Sequence, residues 1–214
     1  DLLPNYQEDY PSGIADGEMV FGLALTELSS RRDGAGVRAD NGRLSGTSLL
    51  ADVPTGATHV LVADTSGSFH VVDDWSADPM RTIDRTRAFQ QLSFDGTPAE
   101  ASTQPDPSAL AVARLLVAAD TLGAAQAMLD KAVEYAKERK QFGRVIGSFQ
   151  AVKHLCAEMA AKLEPARALV WHAAYAMDTK DPEALVMANL AKAHLAEVGT
   201  FVAKTATEVH GGMG

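Results

Sequence analysis

The chain has 214 residues, 46% hydrophobic and 22% charged, enough apolar material to close a core in one large or two modest domains without staples. Its formal net charge of −9 argues against nucleic acid as a partner, since phosphate backbones are gripped by a surplus of Lys and Arg, although a few local cations suffice for one phosphate-bearing small molecule. The single cysteine, Cys156, excludes an intrachain disulfide framework and a zinc cluster, so no metal is expected.

Cys156 reads as a small buried hydrophobe in a reducing, cytoplasmic setting. No apolar run approaches the roughly 20 residues of a bilayer span, and Asp1-Leu2-Leu3-Pro4-Asn5 lacks the basic start of a signal peptide. Neither a membrane nor a leader is therefore expected.

The first half reads as short strands broken by glycine turns. Phe21-Gly22-Leu23-Ala24-Leu25-Thr26 is one run. Arg43-Leu44-Ser45-Gly46-Thr47 follows Asn41-Gly42, a hairpin signal. Thr58-His59-Val60-Leu61-Val62-Ala63 has the continuous apolar character of a buried strand. Ser68-Phe69-His70-Val71-Val72-Asp73 follows the Ser66-Gly67 turn, and Phe89-Gln90-Gln91-Leu92-Ser93-Phe94 alternates before Asp95-Gly96. Strands of this length and spacing predict a small antiparallel sheet or barrel.

The pattern turns helical and alanine-rich after Gln104-Pro105-Asp106-Pro107. Asp106 or Ser108 can cap the first helix, and Pro107 suits its first turn. That helix is expected over 108–140, with Leu115, Leu122 and Leu129 every seventh residue and Ala118, Ala125 and Ala132 between them, a lengthwise packing seam. A second helix is expected over 148–177, with Val152, Leu155, Met159, Leu163, Ala166, Val170, Ala173 and Met177 stepping by three and four. Pro165 should kink it without ending it, because the apolar period continues beyond. Asp181-Pro182 opens a third, carrying Leu185, Ala188, Leu195, Val198, Val202 and Val209, which Gly211-Gly212 closes. The fold class is thus α+β: a small antiparallel β domain at 21–105, preceded by a linker at 1–20 and followed by an incomplete antiparallel helical bundle at 106–214. Three such seams call for a fourth helix, expected after Gly214.

Four segments carry a resemblance. The run Arg139-Lys140-Gln141-Phe142-Gly143-Arg144-Val145-Ile146-Gly147-Ser148-Phe149-Gln150 has the Arg-x-x-Phe-Gly, short loop, Phe-Gln arrangement of the acyl-CoA dehydrogenase family. Glu208-Val209-His210-Gly211-Gly212-Met213-Gly214 is a second family-like element, Leu25-Thr26-Glu27 a third and Leu44-Ser45-Gly46 a fourth, in the family's order. The resemblance implies an N-terminal helical domain, a middle β domain and a C-terminal four-helix bundle, with this chain starting where the first ends. It implies FAD as cofactor and an acyl-CoA thioester, from fatty acid or steroid breakdown, as substrate. A carboxylate would remove the Cα proton while flavin N5 takes hydride from Cβ. It further implies an electron-transfer flavoprotein as acceptor and a homo- or hetero-oligomer built as a dimer of dimers.

Residue by residue, the resemblance assigns the cofactor to Arg139, Gln141, Phe142, Gln150, Gly211, Gly212 and Thr26. The guanidinium of Arg139, whose fork suits two phosphate oxygens, would reach the FAD pyrophosphate of a neighbouring subunit. Its plainer role is a cation at a helix C-terminus. Phe142 is otherwise a core anchor, Gln150 a solvated polar residue, the two glycines a helix cap, and Thr26 and Glu27 structural. Arg114 matches an arginine near substrate, but the base position before it is Ala113, so no catalytic base is identifiable and the commoner one falls beyond Gly214. Other departures are Leu50-Ala51-Asp52 in place of an aromatic-x-Thr flavin contact, Leu28-Ser29-Ser30-Arg31-Arg32 in the substrate loop, and Glu208, whose charge repels a pyrophosphate. These departures leave three further readings: a non-catalytic partner subunit of a hetero-oligomeric dehydrogenase, for steroid or other bulky CoA thioesters, a flavin oxidase on the same fold, and a helical scaffold without a cofactor.

Overall fold

A computed structural model describes residues 10–28, 32–101 and 107–214. The expected cap Asp106, the loop residues 29–31, the first nine residues of the linker and the Glu27 side chain lie outside what is described. The chain divides into two compact units, Asp1–Asp106 and Pro107–Gly214.

In the first unit a short helix α1 (Tyr10–Ala15) precedes β1 (Phe21–Ala24), a 3-10 turn (Thr26–Leu28), β2 (Gly36–Asp40), β3 (Arg43–Asp52), β4 (His59–Ala63), β5 (Phe69–Val72), β6 (Ser76–Pro79), β7 (Phe89–Pro98) and β8 (Glu100–Ala101). They form one eight-stranded sheet in the order β6-β7-β3-β1-β4-β5-β8, with β2 paired to β3. Antiparallel pairing dominates as expected, but β1 and β4 run parallel, with Phe21 opposite His59 and Ala24 opposite Val62. The continuous burial of β4 follows from apolar residues on both of its faces. Val60 and Val62 join Val37, Leu44, Leu92 and Phe94 on one side, while Leu61 and Ala63 join Phe69 and Val71 on the other.

Two local outcomes differ from the sequence reading. Thr26 does not continue β1; it opens the 3-10 turn. Asp95-Gly96 does not end a strand either. Ser45 pairs with Asp95 while Leu44 pairs with Thr97, so Gly96 at φ 66° is the extra residue of a bulge inside β7. Asn41-Gly42, both at positive φ, does make the β2–β3 turn.

The second unit holds α2 (Pro107–Glu138), a small hairpin of β9 (Lys140–Gln141) and β10 (Arg144–Val145), a 3-10 turn (Ile146–Ser148), α3 (Gln150–Asp178) and α4 (Ala184–His210). The seam Leu115, Ala118, Leu122, Ala125, Leu129 and Ala132 packs with Met159, Leu163 and Ala166 of α3 and Leu195, Val198 and Val202 of α4 in one core. Three side-chain links join the helices. Gln126 of α2 accepts from Arg167 of α3, Lys162 of α3 sits over Phe201 of α4, and Arg114 of α2 donates to Asn189 of α4. Short connections fold α3 back along α2 and α4 back along α3 in one core, so α3 runs against both neighbours and α2 and α4 run alike. Pro165 lies inside α3 without ending it.

Helix α2 is long and apolar enough, by length and composition alone, to cross a membrane. It is not one unbroken apolar run, because Arg114 and Asp120 interrupt it. Its Ala/Leu stripe packs on α3 and α4.

Candidate functional site: the hairpin end of the helical unit

The end of α2 is built by local chemistry. Lys137 pairs with Glu134 at 2.6 Å, an exposed i,i+3 contact that raises the lysine pKa through that hydrogen bond. The Arg139 N–H donates to Tyr135 O at 2.9 Å, and Ile146 N–H returns to Arg139 O at 2.8 Å, closing the hairpin on the helix tip. Between β9 and β10 stand two residues, Phe142 at φ 53° and Gly143 at φ 78°. Positive φ at both central positions is the turn that matches strand twist; glycine adopts it freely and phenylalanine at a strain of about 1 kcal/mol. Ser148 donates to Val145 O at 2.7 Å.

Phe142 is 91% exposed, which corrects the plainer reading of it as a core anchor. Its ring meets Phe149 edge-on, centroids 6.2 Å apart at 84°, and the Arg144 guanidinium lies 3.9 Å from the Phe149 centroid. Arg139, Lys140 and Arg144 are exposed, and none appears in an ion pair within 4.0 Å among the described residues. In a chain of charge −9, cations without carboxylate partners beside an exposed ring suit an anionic, partly apolar ligand.

The other candidates divide. Gln150 opens α3, its amide 3.1 Å from His154 Nε2. Gly211, at φ 61°, caps α4 by donating to Glu208 O. A Cβ added at Gly211 or Gly212 would meet nothing within 4 Å, so this backbone is open to approach. His210 stacks on Tyr135 with centroids 4.5 Å apart, and its Nδ1 lies 2.8 Å from Ala206 O. That stack ties the end of α4 to the end of α2, so Arg139, Gln141, Phe142, Gln150, Gly211 and Gly212 share one end of the unit. Arg114 does not join them. It lies 25 residues earlier on α2, about 37 Å away at the helical rise, bound to Asn189 at 2.8 Å.

Thr26 belongs to the β unit. Its hydroxyl donates to Leu49 O at 2.5 Å, so this proton is already committed within the chain. Leu50 beside it sits at φ 56° in a register break of the β3–β7 pairing, with its N–H on Met80 Sδ at 3.3 Å. A cleft of about 750 Å³ borders the same unit, lined among others by Leu28, Arg32, Asp33, Arg38, Ser66 and Gly67. Sequence reading missed Arg144, Phe149, Tyr135 and this cleft. Arg144 and Phe149 stood inside the recognised motif, but nothing in a linear pattern says that one covers the other. Cys156 is half-buried rather than buried, packed beside the helical core, and burial pushes its thiol pKa up.

Residues 107–214 match the family profile described as "Acyl-CoA dehydrogenase, C-terminal domain". Caffeyl-CoA reductase-Etf complex subunit CarC of Acetobacterium woodii is 47% identical over 105 residues, 49% of this chain and 27% of that protein. Acyl-CoA dehydrogenase FadE34 of Mycobacterium tuberculosis is 33% identical over 95% of this chain and 28% of its own length. Among solved structures, a variant of the Tcur3481-Tcur3483 steroid ACAD superposes with a TM-score of 0.82 at 32% identity, covering 98% of this chain and 61% of that one. This chain therefore spans well under half the length of these two curated relatives. With the profile matching its helical half and FadE34 aligning through its β unit, the chain belongs to the acyl-CoA dehydrogenase family.

Proposed function

We propose that this chain is part of a subunit of a FAD-dependent acyl-CoA dehydrogenase, and that its hairpin end grips the dinucleotide of an adjoining protomer. The observation carrying this is Arg139, an exposed guanidinium without a carboxylate partner among the described residues, at the base of a hairpin that Ile146 N–H pins to it. Its fork offers two N–H groups to a pyrophosphate. Gln141 and Phe142 add an amide and a ring, and the open backbone at Gly211-Gly212 admits close approach. The donor set fits FAD at this end. When bound, the flavin supplies the hydride acceptor for Cα–Cβ oxidation of an acyl-CoA thioester. This chain's part is to fix the pyrophosphate and present the ring system. The cleft beside Arg32 and Arg38 suits the phosphates of the thioester, with Asp33 on its wall limiting how many it takes. No residue of this chain is proposed as the base.

Steroid or other bulky acyl groups are the proposed substrates, because the relative solved as a steroid ACAD is alike over 98% of this chain. An electron-transfer flavoprotein is the proposed acceptor, by analogy with the relative named as an Etf-complex subunit. Exposed Leu116, Trp171, Tyr175, Val186 and Leu190 support an oligomer, proposed to work in the cytoplasm. The test is Arg139→Gln in the assembled protein. FAD affinity should fall about tenfold to a hundredfold, the loss of a charge-assisted pair; unchanged affinity would reject the reading. Flavin bleaching by candidate acyl-CoA thioesters then tests the reaction.

One observation favours a second reading. Where a flavin ring would rest on an aromatic side chain, β3 carries Leu50 on a strained backbone and, two residues on, exposed Asp52. Such a strand suits a partner subunit that lends Arg139 to another subunit's flavin without holding one itself. Flavin stoichiometry decides: one FAD per copy of this chain supports the first reading, and FAD only on a partner subunit supports the second.

A further inference from the structure

We infer that Arg144 is a positioning residue: its guanidinium, lying on Phe149, locks Phe149 against Phe142 and thereby steadies the hairpin at whose base Arg139 reaches its ligand. This rests on the proposed dinucleotide contact of Arg139 and adds to it how the contact is held in place.

The geometry makes Phe149 the hinge of the arrangement. One neighbour is Arg144, 3.9 Å from its centroid, and the other is the edge of Phe142, 84° to its plane. Phe149 is itself anchored, since its N–H donates to Ile146 O at 3.0 Å and its carbonyl accepts from Lys153 at 3.1 Å. The stack therefore links the start of α3 to the tip of the hairpin. The tip needs such a link. Its ladder has two residue pairs, Arg144 with Gln141 and Val145 with Lys140, and a hairpin that short is marginal in water. Phe142 is held at positive φ while 91% exposed, so no burial within this unit accounts for its conformation. A bulky residue kept strained and exposed points to a constraint from function.

The face of a ring attracts a cation, guanidinium above all. An arginine whose guanidinium is spent on a ring face stiffens the loop and leaves the proposed phosphate contact to Arg139. The change Arg144→Lys keeps the charge over the ring, whereas Arg144→Gln keeps a polar side chain without it. The change Phe149→Tyr keeps the ring face, whereas Phe149→Leu removes it.

The experiment uses the assembled protein and FAD as the probe, with Arg144→Gln, Arg144→Lys, Phe149→Leu, Phe149→Tyr and the double Arg144→Gln/Phe149→Leu. Affinity should weaken about threefold to fivefold in Arg144→Gln and in Phe149→Leu, the scale of one exposed cation–π contact. The double variant should be no weaker than either single, and Arg144→Lys and Phe149→Tyr should hold near wild type. Additive losses in the double variant would mean Arg144 touches the dinucleotide directly and would overturn the positioning role. Hydrogen exchange in residues 139–149 without FAD is the readout independent of the ligand. The Ile146 amide should exchange faster in Phe149→Leu and Arg144→Gln, with the bulk melting temperature unchanged. Unchanged exchange would overturn the proposal even if FAD affinity fell. Loss of the Arg139 effect on FAD would remove the parent reading alone, leaving the exchange result to judge the stack.

Discussion

Thr26 gives its hydroxyl proton to the carbonyl of Leu49 across 2.5 Å, fastening the 3-10 turn after β1 to the bulged centre of β3. The next residue, Leu50, turns to φ 56° and its N–H finds Met80 Sδ. A residue expected to serve a flavin through its side-chain donor thus spends that donor on the fold. Thr26→Val should lower the stability of the β unit by about 1 kcal/mol, the net worth of one hydrogen bond. Thr26→Ser should restore it. Urea unfolding followed by circular dichroism checks both, and a hydroxyl-independent result would show that the contact contributes nothing to stability.

Much of the fold was legible because periodicity reports burial directly. Leu115, Leu122 and Leu129 sit on the packed side of α2 as their seven-residue spacing implies. The buried strand β4 was equally plain from its apolar run. Other features were hidden for physical reasons. The parallel pairing of β1 with β4 joins segments nearly forty residues apart in the sequence, and no local pattern encodes partner choice. Asp95-Gly96 carries the same chemistry in a turn and in a bulge, because both need a residue at positive φ. At the candidate site, Arg139 and Phe142 stand in the linear motif, but that Phe142 is exposed and that Arg144 covers Phe149 are three-dimensional facts. Arg114 sits near the start of α2 and Arg139 just past its end, and the 1.5 Å rise per residue keeps them apart.

Gly199 of α4 approaches α2 so closely that an added Cβ would lie 2.6 Å from Thr121 Cγ2. Helix propensity alone favours alanine over glycine by about 1 kcal/mol. The contact works against it, because threonine is stiff about χ1 and its hydroxyl is held on Val117 O at 2.8 Å. Gly199→Ala should therefore destabilise the helical unit by about 1–2 kcal/mol. In a Thr121→Ser background, where the methyl is gone, the same change should stabilise by about 1 kcal/mol. A double-mutant cycle of melting temperatures reads the reversal of sign, and its absence would show that the two helices yield freely at this crossing.

Cys156 should react slowly with alkylating reagents at neutral pH. Burial raises its thiol pKa, so little thiolate is present to act as nucleophile. Native labelling should lag well behind labelling in urea and accelerate as the pH is made more alkaline; fast labelling at neutral pH would contradict this placement beside the core.

Asp64 and His70 form a buried pair at 2.9 Å, each side chain 7% exposed. The other carboxylate oxygen of Asp64 accepts from Ser66 N–H at 2.8 Å, Ser66 Oγ at 2.6 Å and Ser68 N–H at 3.0 Å, so one side chain organises the whole β4–β5 turn. Burial by itself would raise the Asp64 pKa, but the bonds from Ser66, His70 and the backbone of Ser68 and Ser66 together hold it below the ordinary value. A carboxylate with a lower pKa in the folded than in the unfolded chain stabilises the fold fully above the unfolded value, about 3.9. That contribution fades as pH falls through the folded value. Asp64→Ala should cost about 2–3 kcal/mol at neutral pH, because it strands the two N–H groups and the imidazole. The difference between wild type and variant should then shrink as pH drops below about 4. Stability measured by denaturant titration from about pH 7 down to about pH 3 checks the slope. A constant difference across that range would mean that the turn is held by packing around Phe69 and Val71, with the Asp64 charge playing no part.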